Sequence, residues 1–284
     1  MLDHSNERSV AAAPWPRPQI ILDHLCFYHR GTDFGDASLR HPTAPQRLRA
    51  AAAALELDQL VYLKAEFTNR IAYPADLTPL VPGDTVLQLT PFDAEAFLLD
   101  RPRRGVLIAN GDCAIGVLSD GRQALVMHLG LDCLWREDGS PTVLHHGVAH
   151  FDTAPAQLSL WLGGAIQACC HGYRLTTPRE QRRHAELGQR YSPAVLPGRV
   201  RHGPRRGAFA VDHQRLAMEI AATLGVGRID ADRRCTACAG LSDPDRPGYG
   251  TFYSHTRDHA QGRERNFALV AVARAQDVRE GGAP

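Results

Sequence analysis

The 284 residues are 44% hydrophobic and 22% charged, a balance that suits a folded chain and excludes disordered and fibrous classes. Lys and Arg number 32 against 31 Asp and Glu, so a formal net charge of +1 gives no field that would select nucleic acid as a partner. No apolar run approaches a membrane span, the N-terminus lacks a secretory signal, and the seven cysteines are expected to be reduced thiols in a cytoplasmic protein with no membrane partner.

Residues 1–18, polar with three prolines, are expected to form a loose leader, residues 19–275 one domain, and residues 276–284 a flexible tail. Ile20 to Tyr28 is apolar enough for a strand. Pro45 to Leu57, rich in Ala with Leu48 and Leu55 seven apart, predicts an amphipathic helix. Leu60 to Ile71 predicts a return to strand, and the prolines of Pro74 to Pro82 predict a surface connection. Gly105–Ala109, Ala114–Leu118 and Ala124–Met127 are short β-prone runs, the last two joined by the turn residues Ser119 to Arg122. Further on, Trp135–Pro141 is turn-rich and Ala154–Leu162 suits a helix. Thr176–Arg190 suits an exposed helix, and the basic run Arg199–Arg206 suits a loop. Leu216, Ile220 and Leu224 predict a helix over Asp212–Leu224 that Gly225 stops, and Phe267–Val272 predicts a closing strand.

The chemistry concentrates on the hairpin. Cys113 precedes its first strand and His128 ends its second, so cross-strand pairing brings a thiol and an imidazole together. On the residues alone three readings stay open. The pair can supply two ligands of a zinc site that activates water, it can be a thiol nucleophile with a histidine base, or it can be a buried cysteine beside a hydrogen-bonded histidine.

Asn110-Gly-Asp-Cys113 followed by Leu125-Val-Met-His128-Leu-Gly130 resembles, in order, the A-D-C and V-H-A-G-W-R-G motifs of the laccase-domain family, also called polyphenol oxidases. Leu162–Cys170, Cys235-Thr236, Phe252–Asp258 and Gly262-Arg263 resemble later family motifs, so the likeness runs from about residue 20 to 273. The resemblance implies a single α+β domain, a layered mixed β core flanked by helices, with zinc held by His, Cys and His. It implies purine nucleoside and phosphate as substrates, in phosphorolysis of adenosine, inosine or methylthioadenosine and in adenosine deamination. It also implies, in one branch, editing of peptidoglycan precursors, which a metal-free cysteine hydrolase would perform. Copper chemistry, implied by the older name, is poorly served by such ligands. On this likeness the catalytic residues are Cys113, His128, Asp112 and Arg257, the substrate or phosphate residues Arg263 and Ser254, and the zinc ligands Cys113 and His128.

The pattern also departs from the family. Lys64–Arg70 puts Phe67 where the first zinc histidine is expected, and Leu131 and Asp132 replace a Trp and an Arg. Two ligands seldom hold zinc, so a retained metal needs a substitute from Glu66, Asp132, Cys133, His29 or His255. The losses equally suit a non-catalytic relative with a protein partner. Cys235 and Cys238 form a CxxC that with Cys169 and Cys170 has the composition of a four-thiolate zinc site; three of the four match family cysteines, which favours packing residues. His145, His146 and His150 lack the glutamate of a metalloprotease helix and are expected to be surface histidines.

Overall fold

Every residue of the hairpin strands Ala114–Ser119 and Ala124–Leu129 is buried, so their sheet must be covered on both faces. A computed structural model, describing residues 18–31, 34, 36–173, 175–191, 194, 199–201, 207–238, 252, 254 and 265–273, shows what covers it. The leader and the C-terminal tail lie outside the described residues, apart from Pro18.

In chain order the elements are β1 (Gln19–Ile21), β2 (Leu25–Arg30), α1 (Ala44–Ala54), β3 (Gln59–Tyr62), β4 (Arg70–Ala72), β5 (Thr78–Pro79), β6 (Leu87–Leu89) and β7 (Ala94–Leu99). Then come β8 (Arg104–Asn110), β9 (Ala114–Ser119), β10 (Ala124–Leu129), α2 (Leu131–Leu134), α3 (Val143–His150), β11 (Ser159–Gly163) and β12 (Gly172–Tyr173). The chain continues through α4 (Pro178–Arg190), β13 (Phe209–Ala210), α5 (His213–Thr223), β14 (Arg228–Ala231) and β15 (Asn266–Val272). This is a mixed α+β fold, and no helix among the described residues is long and apolar enough to cross a membrane.

Two large sheets form, one in the order β1-β2-β15-β8-β3-β6-β5 and the other β14-β11-β9-β10-β7-β4. Phe27, Val106 and Ile108 of the first meet Phe97, Val117, Val126 and Trp161 of the second in a shared apolar layer. The opposite face of the second sheet, with Leu118, Leu125 and Met127, packs on Val143 and Leu144 of α3 and on Leu216 and Ile220 of α5. The first sheet's outer face is covered by α1 through Leu48, Ala51 and Ala52. Alternation decides the assignment: in β10, Ala124 and Val126 face the other sheet while Leu125, Met127 and Leu129 face the helices. His128 continues the even-numbered set and belongs to the inter-sheet side.

Three predicted elements differ. The expected strand over Leu60–Ile71 is two strands, β3 and β4, joined by a loop in which Phe67 takes φ 61°. Ile20–Tyr28 is likewise split by a turn at Leu22 and Asp23, both with positive φ. The helix expected over Ala154–Leu162 is a single turn at Pro155–Gln157 followed by β11, because Leu160, Trp161 and Leu162 each bury against one of two facing layers. The helices α1, α4 and α5, the hairpin and β15 form as the sequence predicts. Thr177 and Glu180 cap α4 reciprocally: the Glu180 amide donates to Thr177 Oγ1 at 3.1 Å, and the Thr177 amide donates to Glu180 Oε2 at 2.9 Å.

Candidate functional site

Register explains the convergence of the site. His128 pairs with Ile115 across the hairpin, and Cys113, two residues before Ile115, lies diagonal to it on the same face. The Cys113 sulfur is close enough to push the pKa of the His128 imidazole up.

The third member comes from β7, on the other side of β10. Pairing of β7 with β4 shifts between Arg70/Ile71, where Ala94 and Ala96 are opposed by consecutive residues. Glu95 is therefore the extra residue of a bulge, a device that re-aims a side chain. Met127 pairs with Ala96, so one step along the ladder puts Glu95 beside His128. The Glu95 side chain is fully buried, and its Oε2 lies 2.7 Å from His128 Nδ1. Its Oε1 accepts from the Glu66 amide at 2.6 Å and the Thr68 amide at 2.9 Å, which fixes the loop on both sides of Phe67. With Nδ1 committed to Glu95, Nε2 is the ring atom left for Cys113. Burial opposes a charge on His128, but Cys113, Cys133 and Glu95 together outweigh it and hold its pKa well above the ordinary value.

Cys133, on α2, sits behind the ring at 3.9 Å from Nδ1 and 3.4 Å from Glu95 Oε2. Burial pushes its thiol up to about 11 against the lowering effect of His128. Phe67 closes the front. Its ring meets that of His128 edge-on with centroids 5.3 Å apart, and a Cβ at Gly130 would come within 2.6 Å of it. Any side chain at 130 would therefore push the Phe67 ring aside.

Glu95, His128 and Cys133 place a carboxylate oxygen, a ring nitrogen and a sulfur within 4.8 Å of one another, a donor set compatible with zinc. Spacing tests the fit. Two zinc ligands with nitrogen and oxygen bonds of ~2.1 Å stand about 3.4 Å apart in a tetrahedron. The 2.7 Å between Glu95 and His128 is a hydrogen bond, which an ion there would have to break. As folded, this corner holds a buried carboxylate–imidazole hydrogen bond.

Of the proposed substitute ligands among the described residues, Cys133 alone joins His128 in this group. Glu66 is exposed beside Lys64, and Asp132 accepts from Arg179 at 2.9 Å and from Arg183 at 2.6 Å. His29 stacks on Phe252 with centroids 4.1 Å apart. Asp112 is buried and accepts from the Thr236 hydroxyl at 2.8 Å, fixing the residue next to Cys113. Ser254 is buried too, whereas Arg257, Arg263 and His255 lie outside the described residues. The three clustered histidines find separate partners: His145 bonds Thr142, His146 bonds Asn69 and His150 bonds Tyr73. The residue that sequence reasoning missed is Glu95. Its signal was present as one carboxylate inside the apolar run Ala94–Leu99.

A model of the multi-copper polyphenol oxidoreductase laccase family matches residues 31–271. No curated protein matches the sequence. Among solved structures, Neisseria meningitidis protein NMB0706 is 18% identical with a TM-score of 0.64, covering 92% of this chain and 100% of that one. YlmD from Geobacillus stearothermophilus is 18% identical with a TM-score of 0.62, covering 93% and 94%. The Bacillus licheniformis hypothetical protein YfiH is 15% identical with a TM-score of 0.62, covering 88% and 92%. At these identities the likeness is one of fold.

Proposed function

Because the chain belongs to the multi-copper polyphenol oxidoreductase laccase family, we propose that it is a purine nucleoside enzyme in which a Cys113–His128–Glu95 relay performs hydrolytic deamination. The observation that carries the reading is the 2.7 Å contact between His128 Nδ1 and the buried Glu95. It fixes the ring and its tautomer, as the orienting acid of a nucleophile–histidine–acid triad does.

In this reading Cys113 Sγ adds to C6 of the purine, and the protonated His128 gives its Nε2 proton to the departing amine, which leaves as ammonia. His128 then takes a proton from water as the water attacks C6. The carbon–sulfur bond breaks and the thiol is restored, so adenosine and water become inosine and ammonia. Phosphorolysis draws less support, because among the described residues the two arginines beside Asp132 are already ion-paired, Arg183 with Asp132 and Arg179 with Asp132 and Glu137. Zinc dependence also draws less support, because Phe67 stands where a third protein ligand beside Cys113 and His128 would be needed.

The test incubates purified protein with adenosine, inosine and methylthioadenosine, with and without phosphate and chelator. Chelator-resistant, phosphate-independent release of ammonia from adenosine is expected. Base release that requires phosphate would reject the metal-free deaminase, as would turnover that chelator abolishes while the fold, followed by circular dichroism, stays intact. The same triad suits amide hydrolysis of a peptidoglycan precursor, a second reading. It would be favoured if adenosine is inert while Cys113 is rapidly alkylated by iodoacetamide near neutral pH.

A further inference from the structure

Away from the relay, β11 and β14 run parallel, with Leu162 beside Ala231, so the chain leaves both strands at the same end of the sheet. The turn after β11 carries Cys169 and Cys170, and the turn after β14 carries Cys235 and Cys238. The four sulfurs lie within 4.8 Å of one another. Cys169 Sγ is 3.7 Å from Cys170 Sγ and 3.6 Å from Cys238 Sγ.

Those separations match a specific object. Zinc–sulfur bonds of about 2.3 Å in a tetrahedron put neighbouring sulfurs about 3.8 Å apart. A disulfide would need about 2.0 Å, and all seven cysteines are free thiols. An iron–sulfur cluster with several irons would hold its cysteines farther apart than 4.8 Å. The backbone supports the same arrangement: the Gln167 amide donates to Cys235 Sγ at 3.4 Å, and the Cys238 amide also donates to it. Amide-to-sulfur bonds of this kind orient a metal-bound thiolate.

We propose that Cys169, Cys170, Cys235 and Cys238 bind one zinc ion as a closed four-thiolate structural site, independently of the relay. Such a centre carries a net charge of −2, and the surroundings answer it. An open cavity of ≈ 600 Å³ beside the cluster is lined by Arg199 and Arg201 and by Arg233 and Arg234, the last two ion-paired with Asp212 and Asp232. The site also has a task in the fold. Thr236, between two of its ligands, donates to Asp112, so the ion would clamp the turn that holds the residue before Cys113.

The experiment measures metal by plasma mass spectrometry on protein purified under reducing conditions from zinc-supplemented cultures. About one zinc per chain is expected, kept by Cys113→Ala and lost at least about tenfold from Cys238→Ser, on the four-ligand rule. X-ray absorption of the wild-type protein, which needs no variant to fold, should show four sulfurs near ~2.3 Å and no nitrogen. Substoichiometric zinc, zinc retained by Cys238→Ser, a nitrogen-containing first shell, or a disulfide among the four cysteines would overturn the site. None of these results bears on whether adenosine is deaminated.

Discussion

The relay corner and the cysteine cluster both gather donor atoms within 4.8 Å, yet their spacings differ. At the corner unlike donors approach to 2.7 Å, the length of a shared proton. In the cluster like donors stand 3.6 and 3.7 Å apart, near the edge of a zinc tetrahedron. Proximity of ligand types is therefore a weak criterion for a metal centre. What separates the two regions is whether the gap between donors fits a proton or a cation.

The largest effect expected from that contrast is loss of the nucleophile. Cys113→Ala should lower the deamination rate by at least about 10³-fold, since residues acting as a unit lose nearly the whole of their joint contribution when one is removed. Its zinc content should not change. A steady-state assay beside metal analysis checks both, and zinc lost together with activity would merge the two regions into one.

Acid should act on the corner's neighbourhood next. His213 is buried, meets His171 at a tilt with ring centroids 4.2 Å apart, and has no hydrogen-bond partner for either ring nitrogen among the described residues. Burial first, then the charges of Arg183 and His128, depress its pKa from 6.5 to about 4, against the pull of Asp212 and Asp132. The folded state therefore keeps this ring neutral, while the unfolded chain takes up a proton below pH 6.5. Stability is full above that value and falls progressively until about pH 4. The loss amounts to about 3 kcal/mol at 1.36 kcal/mol per unit. Urea unfolding of wild type and His213→Leu across this range isolates it. Equal pH dependence in the two proteins would assign the acid sensitivity elsewhere, for instance to thiolates that release zinc.

These two regions were unequally legible in the sequence. Cys113 and His128 could be paired because a short hairpin fixes its own register, and the turn at Ser119–Arg122 set it. Glu95 could not be placed. It reaches His128 only through the pairing of β7 with β10 and a bulge against β4, neither of which has a local signature. The CxxC was visible as a motif, but its meeting with Cys169 and Cys170 depends on a parallel pairing between β11 and β14 that composition does not specify. The helix expected at Ala154–Leu162 failed for a related reason. Short apolar runs look alike as helix or strand until the layers that bury them are known.

A smaller effect should follow from Glu95→Gln. The amide can present its N–H to His128 Nδ1, which would leave the ring's own proton on Nε2 and its charged form without a counter-charge. General acid–base assistance is worth roughly 10²- to 10⁴-fold, and a fall near the lower bound is expected because the amide keeps one acceptor for the Glu66 and Thr68 backbone. A shift of the pH–rate profile should accompany the fall, a change that loosened packing alone would not produce. Zinc at the cysteine cluster should again be untouched.

The smallest change in stability, and the sharpest test of the corner's missing ligand, is Phe67→His. Phe67 is 47% exposed and takes φ 61°, a backbone region that histidine enters more readily than a bulky apolar residue, so the fold should shift by no more than about 0.5 kcal/mol. The new imidazole would lie beside His128, where the Phe67 ring now meets it edge-on. With Cys113 and the free Nε2 of His128 it would complete three protein ligands and leave a fourth position open, the pattern of a catalytic zinc site. Metal analysis should then find about one more equivalent of zinc than in wild type, and chelator should remove that equivalent before the thiolate-bound one. If the variant takes up no additional zinc, the missing third ligand is not what keeps an ion from Cys113 and the Nε2 of His128.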